Sequence, residues 1–156
     1  MDWWGVDWLA LATIVVVGFV GCAEFASVAL VHPVIRRLDP DDQLVFEKGL
    51  LRTFGRIMPV GMTLAVVLAI ALAIDSASGG WSGAGWVIAA AVIVSVALVV
   101  TILGNVPINI RTGRIDADAA PEGFIAMRRR WDVYQFVRGS LQLVGFLLLA
   151  VGLVGV

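Results

Sequence analysis

The chain is poor in the side chains that most soluble chemistry draws on. It has one histidine and one cysteine in 156 residues. A single thiol excludes an intrachain disulfide. One imidazole, with no metal-ligand spacing around it, disfavours a histidine-held metal or haem centre. Charge is scarce as well: Asp, Glu, Lys and Arg make up 15% of the residues, against roughly 25% in a soluble domain. There is no phosphate-binding glycine loop and no serine in a nucleophile elbow. No low-complexity tract, long linker or separate soluble domain is visible. The opening residues, Met1-Asp2-Trp3-Trp4-Gly5-Val6-Asp7, lack the basic start of a signal peptide. Val20-Gly21-Cys22 has only a faint likeness to a lipoprotein box, so the first apolar run is expected to stay as an uncleaved helix.

What the chain has in excess is apolar residues, 60% of the total. They fall into runs at roughly 8–31, 57–74, 85–106 and 137–154, and about 20 apolar residues cross a bilayer as a helix. The expected fold is all-α, an integral membrane four-helix bundle in one domain over 1–156. Its helices are expected at about 8–36, 40–74, 84–110 and 121–155. Asp39-Pro40 and Pro121-Glu122 read as helix starts. Helices 2 and 4 therefore begin in water, one through Glu47, Lys48, Arg52 and Arg56, the other through Arg128-Arg129-Arg130-Trp131. Pro59 is expected to kink helix 2, and Asp75 to Gly83 to form a turn-rich connector. Trp3, Trp4, Trp8, Trp81 and Trp86 suit headgroup depth. All 11 basic residues lie between Arg36 and Arg56 or between Arg111 and Arg138. The positive-inside rule then predicts a cell-membrane protein with both termini outside and both long loops cytoplasmic.

Polar groups inside the apolar runs are the candidates for function, because a charge there is expensive and usually faces protein or a water-filled cavity. Glu24 lies about eight residues, roughly 12 Å, from the loop end of helix 1. Arg138 has a similar depth in helix 4, so the two are plausible partners. Trp131, Gln135, Arg138 and Gln142 stand at i, i+4, i+7 and i+11, one helical face. Asn105 and Asn109 flank Pro107 and share a face if the helix continues through the proline. With His32, and Arg52 or Arg56, they can close around the mouth of a polar seam. Each feature also has a bland reading. Glu24 and Arg138 can hold two helices in register, asparagines can fasten helices together, and His32 can serve as a cap or interface residue. Arg128-Arg129-Arg130 reads as an orientation signal and headgroup contact. Cys22, in a small-residue row with Gly18 and Ala26, reads as a packing residue.

The two halves of the chain correspond loosely. His32-Pro33-Val34-Ile35-Arg36 aligns with Val106-Pro107-Ile108-Asn109-Ile110-Arg111, which allows two hairpins related by an axis along the membrane normal. The Asn105-Val106-Pro107-Ile108-Asn109 element, followed by Trp131 and Arg138, resembles the small four-helix membrane proteins grouped with the anthrone oxygenases. Much of that group is known only as a domain of unknown function. The resemblance covers nearly the whole chain, including the glycine-rich first helix. It departs at Gln135, where the family commonly has histidine.

The resemblance implies oxygenation of a lipophilic phenolic or quinone-type molecule without metal or flavin, so no cofactor. In that reading Glu24 or His32 is the base and Arg138 stabilises the anion. Asn105, Asn109, Trp131, Gln135 and Gln142 bind the substrate. The alternatives are a non-catalytic membrane subunit and a small-molecule binder or transporter. The partners expected are the lipid bilayer and a lipophilic aromatic ligand, with a homo-oligomer or membrane partner protein left open and no nucleic acid.

Overall fold

The computed structural model describes residues 7–116 and 119–154; Trp3 and Trp4 lie outside them. The first span joins α1 (Trp8–Ala26), a π-helical turn at Ser27–Val31 and α2 (His32–Ile35). The second is α3 (Pro40–Ser78). The third joins α4 (Ala84–Val100), a π-helical turn at Thr101–Asn105 and α5 (Val106–Gly113), and the fourth is α6 (Phe124–Val154). All 4 spans are long and apolar enough to cross a membrane, and no strand occurs among the described residues. The expected all-α membrane bundle is therefore what forms, and the chain is a multi-pass membrane protein set in lipid.

Helix ends differ from expectation where side chains extend or delay them. α3 runs to Ser78, past the expected end at 74. The Ser76 and Ser78 hydroxyls donate back to the Ala73 and Ile74 carbonyls (3.1 and 2.8 Å), so these polar residues are accommodated inside the helix. The chain then turns at Gly80, whose φ of 67° suits glycine. α6 starts at Phe124, not 121, because Pro121 opens a turn in which Gly123 takes a φ of 78°. α3 continues without a break through Pro59. Asp39 precedes it in extended conformation, but its side chain makes no capping bond. Two residues on, Asp41 accepts from the Ala120 N–H at 2.7 Å and ties the start of α3 to the loop before α6.

Each π-turn precedes an X-Pro pair, His32-Pro33 and Val106-Pro107. Proline lacks an N–H, and its ring crowds the carbonyl four residues back. The chain widens ahead of it instead of breaking. The His32 N–H donates to the Ser27 carbonyl, and the Val106 N–H to that of Thr101, each five residues back. The wider turn shifts the buried face. It runs through Val17, Gly21, Glu24 and Ser27 and resumes at His32 and Ile35. Val31 and Val34, where an α-helix would have resumed it, are exposed.

α6 packs against both α1 and α4, and glycine makes the approach close enough. A Cβ on Gly21 would stand 2.9 Å from the Gln142 carbonyl oxygen, and one on Gly145 2.6 Å from Val94 Cγ1. The expected row at Gly18, Cys22 and Ala26 is only partly right. Gly18 does meet Phe146, but Cys22 is exposed and Gly21 takes its place. A strict four-residue row drifts around a helix of 3.6 residues per turn, and the buried face steps by three and four. The apolar core, including Val17, Ala65, Leu72, Val87, Val94 and Leu149, sits in the half of the bundle that carries the termini. The other half, the basic end, is built from different material.

Candidate functional site

Along α6, Arg128, Trp131, Gln135, Arg138 and Gln142 are all buried. Steps of three and four residues put them on one inward face. At its centre Arg138 Nη2 donates to Glu24 Oε2 at 2.7 Å, and Gln135 Nε2 donates to the same oxygen at 2.8 Å. The Glu24 carboxylate is completely buried. The partnership expected from helix depth is present, and it joins α1 to α6. The pair is incompletely satisfied, however. Glu24 Oε1, Gln135 Oε1 and Arg138 Nε have no hydrogen-bond partner among the described residues. Arg138 Nη1 reaches only the sulfur of Met62, at 3.8 Å.

One turn towards the basic end, Trp131 gathers the remaining polar groups. Its indole N–H donates to Asn109 Oδ1 at 2.7 Å, and its carbonyl accepts from Asn105 Nδ2 at 3.4 Å. The two asparagines, four residues apart with the helix continuing through Pro107, do share a face: both meet Trp131. The His32 ring lies 4.7 Å from the indole, tilted by 42°. The Arg128 guanidinium stacks on the indole at 4.2 Å, close enough for a cation–π contact, and ion-pairs with buried Glu47. His32 Nδ1 is 3.6 Å from Asp132 Oδ1, and the other Asp132 oxygen is 3.7 Å from Arg36 Nε.

These groups border a cavity of about 510 Å³. Glu24, His32, Asn109, Trp131, Gln135 and Arg138 give it one polar side; Leu50, Phe54, Met58 and Val106 give it an apolar one. Asn105 and Gln142 do not line it. Asn105 stands behind Trp131 and holds its backbone. Gln142 is a turn beyond Arg138, fully buried, with neither amide atom bonded to a described residue. Arg52 and Arg56, expected at the mouth, line a separate groove alongside. His32 and Gln135 also border a second hollow of about 480 Å³, which reaches Arg36 and Asp132. Among the described residues no three His, Cys, Asp or Glu side chains meet as a metal site.

Sequence reasoning missed Glu47, Arg128 and Asp132. Of the three consecutive arginines, read together as a headgroup contact, Arg128 is buried and only Arg129 and Arg130 are exposed. The signal was spacing: Arg128 stands three residues before Trp131, on the stripe already marked. Glu47, Leu51, Phe54 and Met58 repeat the i, i+4, i+7, i+11 pattern on α3, and all four line the cavity.

Fold and site together define a class: a four-span helical membrane protein with a half-polar cavity near its basic end. The sequence profile of the anthrone oxygenase family matches residues 43–148, and the chain belongs to that family. The match bears out the resemblance drawn from Asn105, Pro107, Asn109, Trp131 and Arg138, all of which it spans. Glu24 and His32 lie ahead of the matched stretch. No curated protein and no solved structure matches the chain.

Proposed function

We propose that the protein is a cofactor-independent oxygenase acting on a lipophilic phenolic or quinone-type molecule in this cavity. The observation that carries the reading is the cavity itself. It is large enough for a fused ring system, and it sets an imidazole and a carboxylate–guanidinium pair opposite an apolar wall. In the anthrone case the overall change is C14H10O + O2 → C14H8O2 + H2O. The ring CH2 loses two hydrogens and gains one oxygen atom, and the other oxygen leaves as water.

The first step is removal of an acidic proton by a base, and the second is stabilisation of the anion left behind. His32 is the better base. Glu24 Oε2 is already engaged by two donors, from Gln135 and Arg138. His32 borders the cavity and has Asp132 near its Nδ1 to orient the ring and balance its charge once protonated. The Arg138 guanidinium, whose side chain keeps some exposure, and the amide of Asn109 are the donors for the anion. The apolar wall keeps water from that anion, and dioxygen reaches it from the lipid, in which it dissolves well. The placement of lysine and arginine supports both termini outside and both loops cytoplasmic, so the site would lie towards the inner leaflet.

A second reading has one observation in its favour: the Glu24–Arg138 pair fastens α1 to α6, as a purely structural pair would. Turnover separates the two. The purified protein in nanodiscs, given anthrone or 1,8-dihydroxyanthrone under 18O2, is expected to form the quinone with one labelled oxygen, faster than protein-free nanodiscs. His32→Gln is expected to lower that rate by about 10²-fold or more. Rates equal to the protein-free control with both anthrones would leave the structural reading standing.

A further inference from the structure

The basic end has another hollow that the proposed chemistry does not use. Lys48, Arg52 and Arg56 stand at successive four-residue steps on α3, and Arg114 follows α5. With Leu51, Gly113, Ile115 and Asp116 they line a groove of about 420 Å³. Arg52, Arg56 and Arg114 are exposed and Lys48 is half-buried. None is ion-paired with a described residue, Asp116 included, whereas Arg36, Arg128 and Arg138 each have a carboxylate within 4.0 Å. Like charges four apart on a helix repel by a few tenths of a kcal/mol per pair, roughly 0.2–0.5. This row therefore stands against its own repulsion, which a bound anion would relieve.

The groove and the cavity share a wall, because Leu51 and Gly113 border both. The two residues face each other: a Cβ on Gly113 would lie 3.8 Å from Leu51 Cδ1, ordinary contact distance. The sill between groove and cavity is thus one leucine side chain, met from α5 by a residue with none. On one side of it are four unpaired cations. On the other are Phe54, Met58 and Trp131.

We propose that the groove of Lys48, Arg52, Arg56 and Arg114 binds the anionic head, a carboxylate or phosphate, of an amphiphile whose apolar body passes over the Leu51–Gly113 sill into the cavity. This rests on the cavity being a ligand site and adds a preference among ligands: an aromatic acid over the matching neutral ring system. Guanidinium forks suit planar or tetrahedral oxyanions, and Lys48 adds a mobile point charge. A free aromatic acid and an anionic lipid both present this chemistry.

The test uses two probes with the same ring, 3-hydroxy-2-naphthoate and 2-naphthol, titrated calorimetrically into the protein in phosphatidylcholine nanodiscs. The naphthoate is expected to bind about tenfold tighter, the sum of several partly screened contacts. Added salt should erase the difference. The triple variant Lys48→Gln, Arg52→Gln, Arg56→Gln should also erase it while 2-naphthol binds as before. Gly113→Leu, which has room for its Cβ, should weaken both probes by raising the sill. Equal affinities in the unmodified protein, or a preference that survives the triple change, would overturn the groove and leave the cavity intact. Binding of neither probe would remove both readings. Replacing part of the phosphatidylcholine with phosphatidylglycerol tells the source. Displacement of the naphthoate assigns the groove to a lipid headgroup, and unchanged binding assigns it to a free acid.

Discussion

The two ends of this bundle are held together by opposite means. In the half that carries the termini, Val17, Ala65, Leu72, Val87, Val94 and Leu149 interlock, and the buried hydroxyls of Thr13 and Ser76 bond to carbonyls of their own helices at 2.7 and 3.1 Å. Lipid is as apolar as this core, so packing and close backbone approach through glycine are what hold the helices there. In the basic half, three arginine–carboxylate pairs and an indole with three polar neighbours hold them, and several buried polar atoms are left over. The comparison separates the tasks. The packed half supplies rigidity but offers nothing to bind. The polar half spends contacts on specific directions and leaves a cavity with one polar side.

The sharpest way to break that division is at Glu24 and Arg138. Arg138→Ala leaves a carboxylate in the bundle with only the Gln135 amide, and losing one partner of a buried pair costs about 3–5 kcal/mol. Unfolding in detergent should show the loss. Arg138→Gln with Glu24→Gln removes both charges and should recover most of it. If that double variant folds but loses ligand binding or turnover, the pair serves the site and not the fold alone; unchanged function would make it a fastener.

The next effect belongs to the packed half. Gly145→Leu drives a side chain into Val94, whose Cγ1 already stands 2.6 Å from where the Cβ would be. Overpacking of this kind costs about 1–3 kcal/mol. Melting temperature should fall, and probe affinity in the still-folded fraction should be unchanged. A fall in affinity as large as that in stability would show that the halves are coupled.

How far the sequence could be read follows the same division. The spans were legible because apolar length alone sets them. Glu24 and Arg138 were legible because each interrupts an apolar run at a countable depth. His32 was harder to place. In an unbroken α-helix a residue eight positions from Glu24 points about 80° away from it, and only the π-turn before Pro33 swings it onto the same face. The proline was visible; the direction in which the helix would yield to it was not. Glu47 and Arg128 were hidden by their neighbours, since a charged residue among charged residues looks solvated until helical phase sorts one from the next. Cys22 failed for the converse reason, as spacing by four alone took it for an inward residue.

The smallest expected effect is also the most informative about the polar half. Trp131→Phe keeps an aromatic ring beside His32 and under Arg128 but removes the N–H that donates to Asn109. One such bond is worth about 1 kcal/mol net, and phenyl is a weaker cation–π partner than indole. Stability should therefore drop only slightly. The freed Asn109 amide then borders the cavity with an unmet acceptor, so a phenol, which can donate to it, should lose less affinity than the matching methyl ether. Titrating 2-naphthol and 2-methoxynaphthalene into both proteins reads that difference directly. If both ligands change by the same factor, Asn109 is not reaching the occupant, and the polar wall narrows to Arg138, Gln135 and His32.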